Sequence, residues 1–163
     1  MKFKYAVLLI VSTLVLVLDQ ATKILIDRSM ELHSSITVME HFFNITYLRN
    51  KGAAFGFLAS SAYRLPFFMM VSVVAVAVII RVYYRLRPGQ KFTAFALALI
   101  FSGALGNLID RIRLGEVIDF LDVHWYSHHW PAFNVADSAI CVGVFLLAVD
   151  LFFEENRQKS RQE

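Results

Sequence analysis

The sequence predicts an integral membrane protein, mainly α-helical, with four transmembrane helices and a small β-sheet on the outer, extracytoplasmic face. Three observations carry that prediction. Apolar residues make up 58% of the 163 residues, against roughly 45–50% in soluble proteins. Charged residues make up only 18%, against about 25%, and mean hydropathy is +0.57. Four stretches approach the roughly 20 mostly apolar residues that a bilayer span requires. A disordered chain and an ordinary soluble domain are thereby excluded, and the length fits one domain over 1–163.

The first span is charge-free over 5–18 and extends to about 26. Lys2 and Lys4 resemble the n-region of a signal peptide, but Leu18-Asp19-Gln20-Ala21-Thr22-Lys23 follows in place of an A-x-A-like site, so a retained helix is expected. The second span covers 65–84, with Pro66 at its start, where a missing N–H costs little. The third covers 92–111. The fourth covers 138–155, interrupted by Asp150, and the polar tail from Asn156 is expected to fray. Cys141 excludes an intrachain disulfide and is expected to pack in the fourth span.

Orientation follows from charge. Lys2, Lys4, Arg81, Arg85, Arg87, Lys91, Arg157, Lys159 and Arg161 gather at one end of the spans, leaving seven of the sixteen basic residues elsewhere. The positive-inside rule makes that end cytoplasmic, with both termini there. The pI near 9.1 then reports topology, not a nucleic-acid partner. The cytoplasmic loop near 85–91 holds the turn signal Pro88-Gly89. The opposite face carries two connections, near 27–64 and 112–137. Ile36, Val38, Phe42, Ile45, Tyr47 and Leu48, followed by Asn50-Lys51-Gly52, predict a small sheet within 36–58. Trp125, Tyr126 and Trp130 suit an interfacial aromatic belt.

Ionisable groups inside or beside spans are expensive, so each is a functional candidate. Asp19 and Lys23 are four apart and share a helix face; a structural ion pair and a substrate-facing role both fit. Small residues Ser102, Gly103, Ala104 and Gly106 permit close helix packing. Asn107, Asp110 and Arg111 share one face, either as a positioning network or as helix-to-helix glue. In 115–123, an extended chain puts Val117, Asp119, Leu121 and Val123 on one face. Asp119 is the only polar member of that face, and an apolar setting disfavours its ionised form. Asp122, on the other face, reads as the more solvated; a strand edge with a solvated Asp is the plain alternative. Asn134 and Asp137 fit helix N-caps. They also bring a second carboxylate to the face where Asp119 lies. Two such carboxylates in close approach share a proton, one acting as base toward water and one as acid toward a carbonyl. His124, His128 and His129 near Asp122 suggest a metal site only weakly, since no H-E-x-x-H accompanies them. No G-x-S-x-G with a clear base is present.

Five blocks taken together resemble lipoprotein signal peptidase, also called signal peptidase II. They are Asp19-Gln20-Ala21-Thr22-Lys23, Arg49-Asn50-Lys51-Gly52-Ala53-Ala54-Phe55-Gly56, Gly106-Asn107-Leu108-Ile109-Asp110-Arg111, Val117-Ile118-Asp119-Phe120 and Phe133-Asn134-Val135-Ala136-Asp137-Ser138. The resemblance implies a single membrane-embedded aspartyl endopeptidase domain in the bacterial inner membrane. Such enzymes remove the signal peptide from diacylglyceryl-modified prolipoproteins on the N-terminal side of the lipidated cysteine. It implies Asp119 and Asp137 as the catalytic pair. Asp19, Lys23, Asn50, Gly103, Asn107, Asp110, Arg111 and Asn134 are then supporting or substrate-binding residues. It also implies a β-cradle, a short amphipathic segment, no metal or other cofactor, membrane lipids as surroundings, and inhibition by the cyclic peptide globomycin. Two other classes share the same carboxylates: a small transporter or proton-relay protein, and an assembly subunit whose polar faces bind partner helices. Against the transporter stands the absence of a charged chain continuing across the membrane.

Overall fold

A computed structural model describes residues 2–52 and 63–159. Residues 53–58 of the expected sheet, the Ala53-Ala54-Phe55-Gly56 part of one block, and Arg161 lie outside the described residues. Four helices are long and apolar enough to cross a membrane. They are α1 (Lys2–Ser29), α2 (Arg64–Arg85), α3 (Lys91–Leu114) and α4 (Val135–Lys159). Strands β1 (Ser35–Met39) and β2 (Phe43–Asn50) lie between α1 and α2; β3 (Val117–Trp125) and β4 (His128–His129) lie between α3 and α4.

α3 and α4 depart from their expected bounds for local reasons. α1 runs to Ser29, and α3 runs on to Leu114 before Gly115 ends it in a left-handed conformation (φ 73°), its N–H bonded to Arg111 O at 3.0 Å. α4 starts at Val135, three residues earlier than hydropathy suggests, because Asn134 caps it. At its other end the helix runs through Lys159, past Asn156. Asp150 does not break it, since Thr93 Oγ1 of α3 donates to Asp150 Oδ2 at 2.6 Å. Cys141 is exposed, contrary to the expected packing, because α4 turns only one face to the bundle.

α3 is the central helix, with 56% of its apolar window buried against 6% for α2. Between helices in lipid, close packing and polar contacts supply the attraction, and α3 is built for both. Ala96, Ala98 and Ser102 are fully covered. A Cβ on Gly103 would lie 2.3 Å from Ala136 O, and one on Gly106 would lie 2.6 Å from Asp19 Oδ2. α4 and α1 therefore approach α3 where only hydrogen fits. At the end remote from the sheet, Lys4 Nζ donates to the carbonyls of Tyr83, Tyr84 and Leu86 at 2.9–3.3 Å. That cation sits on the C-terminus of α2, which favours positive charge.

At the other end the two connections build one antiparallel sheet in the order β1-β2-β3-β4. The described part of the sheet expected within 36–58 is thus completed by a strand from the far side of two helices. Ile118 and Phe120 of β3 pack with Ile26 and Tyr47 into a small core. Both faces of β3 are covered over Val117–Phe120, so the strand alternates between two buried settings. The β2–β3 register shifts by one between Ile45 and Leu48: Asn44 faces Asp122, Ile45 faces Leu121, but Leu48 faces Asp119. This β-bulge places one extra residue in β2 and reverses its alternation. No short amphipathic helix stands among the elements of the described residues.

Candidate active site

The site begins with a buried cation. Lys23 is 1% exposed, Asp19 0% and Asp110 1%. Lys23 Nζ reaches Asp19 Oδ2 at 3.0 Å, Asp110 Oδ2 at 2.9 Å and Asn107 Oδ1 at 3.0 Å. An ammonium has three donors, and all three are spent inside the protein. Asp19 and Lys23 therefore pair, and Lys23 has no proton left to offer outward. Unpaired, such charges would be prohibitive to bury. Gln20, which the sequence did not single out, donates to Asp110 Oδ1 at 3.0 Å and Asp19 Oδ2 at 3.1 Å. Its signal was present: it is the polar neighbour of an aspartate inside an apolar helix.

This cluster holds the surrounding elements together. Asp19 Oδ1 accepts the Ala136 N–H in the first turn of α4 at 2.9 Å. Asp110 Oδ2 accepts the Ile118 N–H of β3 at 3.2 Å. Asn107 turns its amide the other way, donating to Asp137 Oδ1 at 2.7 Å. Arg111 points elsewhere: its guanidinium donates to Ser72 Oγ (3.4 Å) and Asn107 O (3.3 Å) and stacks over Phe68 at 5.7 Å. The charges of Asp137, Asp119 and Asp110 all act on it. Gly103 contributes by letting α4 close on α3.

Asn134 joins the two remaining carboxylates. Its Oδ1 accepts the Asp137 N–H at 2.9 Å, and its own N–H donates to Asp137 Oδ2 at 3.3 Å. That reciprocal pair is a capping box closing α4. The Asn134 amide donates to Asp119 Oδ1 at 2.8 Å and to Ile118 O at 3.2 Å. Capping and joining the carboxylates are thus one arrangement. From the sheet, Asn50 Nδ2 donates to Asp119 Oδ2 at 2.9 Å, while Asn50 Oδ1 accepts the Gly52 N–H at 2.8 Å. Burial pushes the Asp119 carboxyl up to about 7. The negative charge of Asp137 adds to that push, and the amides of Asn50 and Asn134 oppose it.

Asp122 occupies a different setting on the same strand. It is 9% exposed against 3% for Asp119. Asn44 Nδ2 donates to it at 2.8 Å, and His129 Nδ1 lies 2.8 Å from its Oδ1. Burial works against its charge, but these hydrogen bonds outweigh burial and hold the carboxyl below its usual range. The His124 ring stacks on His129 at 4.5 Å. Among the described residues, no three His, Cys, Asp or Glu side chains are placed to hold a metal ion. Trp125, Tyr126 and Trp130 stand exposed beside this edge.

Four membrane-length helices, closed at one end by a sheet, with a carboxylate of β3 and a carboxylate of α4 both bonded to one asparagine, make a membrane protein with an enzyme-like site. The particular family follows from its relatives. The family model of signal peptidase (SPase) II matches residues 11–153, and the chain belongs to that family of membrane proteases. It is 70% identical to the lipoprotein signal peptidase of Geobacter sulfurreducens over 88% of this chain and 89% of that one. It is 61% identical to that of Geobacter metallireducens over 97% and 98%. Two solved bacterial membrane enzyme structures superpose with TM-scores of 0.82 and 0.80 at 34% and 33% identity. The first covers 92% of this chain and 90% of its own; the second, 88% and 91%.

Proposed function

We propose that this chain cleaves the signal peptide from diacylglyceryl-modified prolipoproteins on the N-terminal side of the lipidated cysteine, with Asp119 and Asp137 as an aspartic dyad. The observation that carries this reading is Asn134, whose side chain holds Asp119 and whose backbone N–H holds Asp137. Two carboxylates so joined, with the charge of one raising the proton affinity of the other, share a proton near neutral pH. The ionised member draws a proton from water as it attacks the scissile carbonyl. The protonated member hydrogen-bonds the carbonyl oxygen, and proton return to the leaving amine completes hydrolysis. The pair titrates as a unit, so either aspartate can hold the proton first.

Asp19, Lys23 and Asp110 support the dyad from beneath. Asn50, Asn107 and Asn134 orient its oxygens, Gly103 lets α4 approach, and Arg111, held against Ser72 and Phe68, is assigned to substrate contact. The basic ends of the helices support an orientation in the bacterial inner membrane with both termini cytoplasmic and the dyad toward the extracytoplasmic face. Membrane lipids then solvate the acyl chains and hold the scissile bond at the dyad. Globomycin, as a cyclic peptide, would occupy the same place.

The test uses purified protein in detergent with a lipidated prolipoprotein and a chelator. Cleavage is expected in wild type and absent in folded Asp119→Asn and Asp137→Asn. Cleavage that persists in either variant would sink the dyad, and loss of wild-type cleavage on chelation would redirect attention to the histidine cluster.

A further inference from the structure

α1 carries a third charged group one turn beyond Lys23. Asp19, Lys23 and Asp27 recur at intervals of four and share one helix face. The first two end in the buried cluster beneath α4. Asp27 instead meets β2. Tyr47 OH donates to Asp27 Oδ1, Arg49 Nη2 donates to Asp27 Oδ1 at 2.9 Å, and Arg49 Nε donates to Tyr47 OH at 2.8 Å. Tyr47 is 3% exposed.

The location of Tyr47 in β2 gives the triad a further role. Tyr47 lies in the bulge between Ile45 and Leu48. Both of its backbone groups are tied to the segment entering β1: Tyr47 N–H donates to Ser34 O at 3.0 Å, and His33 N–H donates to Tyr47 O at 2.8 Å. Asn44 and Asn50 are both even-numbered, so an unbulged strand would turn them to the same face. Asp119 and Asp122 differ in parity and lie on opposite faces of β3. The extra residue is what lets Asn44 serve Asp122 while Asn50 serves Asp119. Without it, Asn50 would face away from Asp119.

We infer that Asp27, Tyr47 and Arg49 form a clamp from α1 onto the β2 bulge that positions Asn50 on Asp119. These three are positioning residues; Asn50 alone touches the carboxylate. The inference rests on the proposed role of Asp119, and it accounts for how both carboxylates are referenced to α1. Asp137 is reached through Asp19, Ala136, Lys23 and Asn107, and Asp119 through Asp27, Tyr47, Arg49 and Asn50.

The experiment is a pH titration of the Asp119 carboxyl carbon by NMR, on full-length protein labelled at aspartate carboxyls in detergent. Asp119 is assigned by the resonance lost in Asp119→Asn. Because the Asn50 amide favours the ionised form, loosening it raises the midpoint. In Tyr47→Phe and Arg49→Gln, the midpoint is expected to rise by about half a pH unit, the share of one neutral hydrogen bond. Asn50→Ala should give at least that rise, and Tyr47→Phe added to Asn50→Ala should add nothing. Arg49 is a third exposed, so its variant keeps the test usable if Tyr47→Phe melts early. An unmoved Asp119 midpoint in folded Arg49→Gln, or shifts that add to that of Asn50→Ala, would overturn the clamp. The readout does not depend on cleavage. Persistent cleavage by Asp119→Asn would instead overturn the dyad and leave the titration standing.

Discussion

Asp119 and Asp122 sit three residues apart on one strand, and each receives an amide from an asparagine of β2, yet they are set for opposite states. Asp119 faces Asn134 and the negative Asp137 from deep burial, and its carboxyl is pushed up to about 7. Asp122 faces Asn44 and His129 at the sheet edge, and its carboxyl is held low. A neutral amide favours ionisation in both places. The difference lies in what else is present: burial and a neighbouring anion in one case, a titratable imidazole at the rim in the other. One strand thus offers a carboxyl that can hold a proton at neutral pH and a carboxylate that cannot.

The sharpest way to break this comparison is to neutralise each aspartate. Asp119→Asn is expected to lower cleavage about 10³-fold or more, within the range of a lost acid/base group. Asp122→Asn should stay within about threefold in the same gel-shift assay. Equal losses would mean that the two carboxylates are not differentiated as described.

The next largest effect is structural. Lys23→Met leaves Asp19 and Asp110 buried without their cation and should destabilise the fold by roughly 3–5 kcal/mol, read as thermal unfolding in detergent. Lys51 and Glu116 form a counterpart on the exposed rim at 3.6 Å. Lys51→Met should change stability by no more than about 1 kcal/mol.

Proton linkage separates the two aspartates by sign. The Asp119 carboxyl is raised from 3.8 to about 7, so its protonated form favours folding. That contribution is complete below about pH 4 and is lost as pH rises through about 7, by up to roughly 4 kcal/mol. Wild type should therefore lose stability relative to Asp119→Asn across that window. Asp122 is lowered from 3.8; its contribution is present above that value and is lost as pH falls below it. Unfolding curves for the two variants against pH should diverge from wild type in opposite directions.

The smallest effects distinguish the matched asparagines. Asn50→Ala should reduce cleavage about tenfold by loosening Asp119, on the scale of one hydrogen bond to a charged group. Asn44→Ala should leave cleavage within about twofold and shift only the edge around Asp122 and His129. Comparable losses would place both asparagines on the path to the reacting pair.

Much of this molecule was legible from its residues. The spans were, because lipid tolerates only long apolar runs and makes each buried charge conspicuous. Asp19 with Lys23, and Asn107 with Asp110, were legible because helical spacing places them on common faces. The capping residues Asn134 and Asp137 were legible, and the structure shows that the Asn134 that caps α4 also bonds Asp119. Asp27 and Asn44 were not singled out, since their partners lie 20–78 residues away in the chain, beyond any local period.

The sequence by itself determined that the chain is a four-span membrane protein with carboxylates gathered at one end, because hydropathy and charge act locally and in order. Only the tertiary structure decided that β3 crosses from beyond α3 to join β2, that Lys23 spends all its protons inward, and that a one-residue bulge sends Asn44 and Asn50 to different aspartates. A strand's period of two is local, but where that period is broken is set by the strand and helix packed against it.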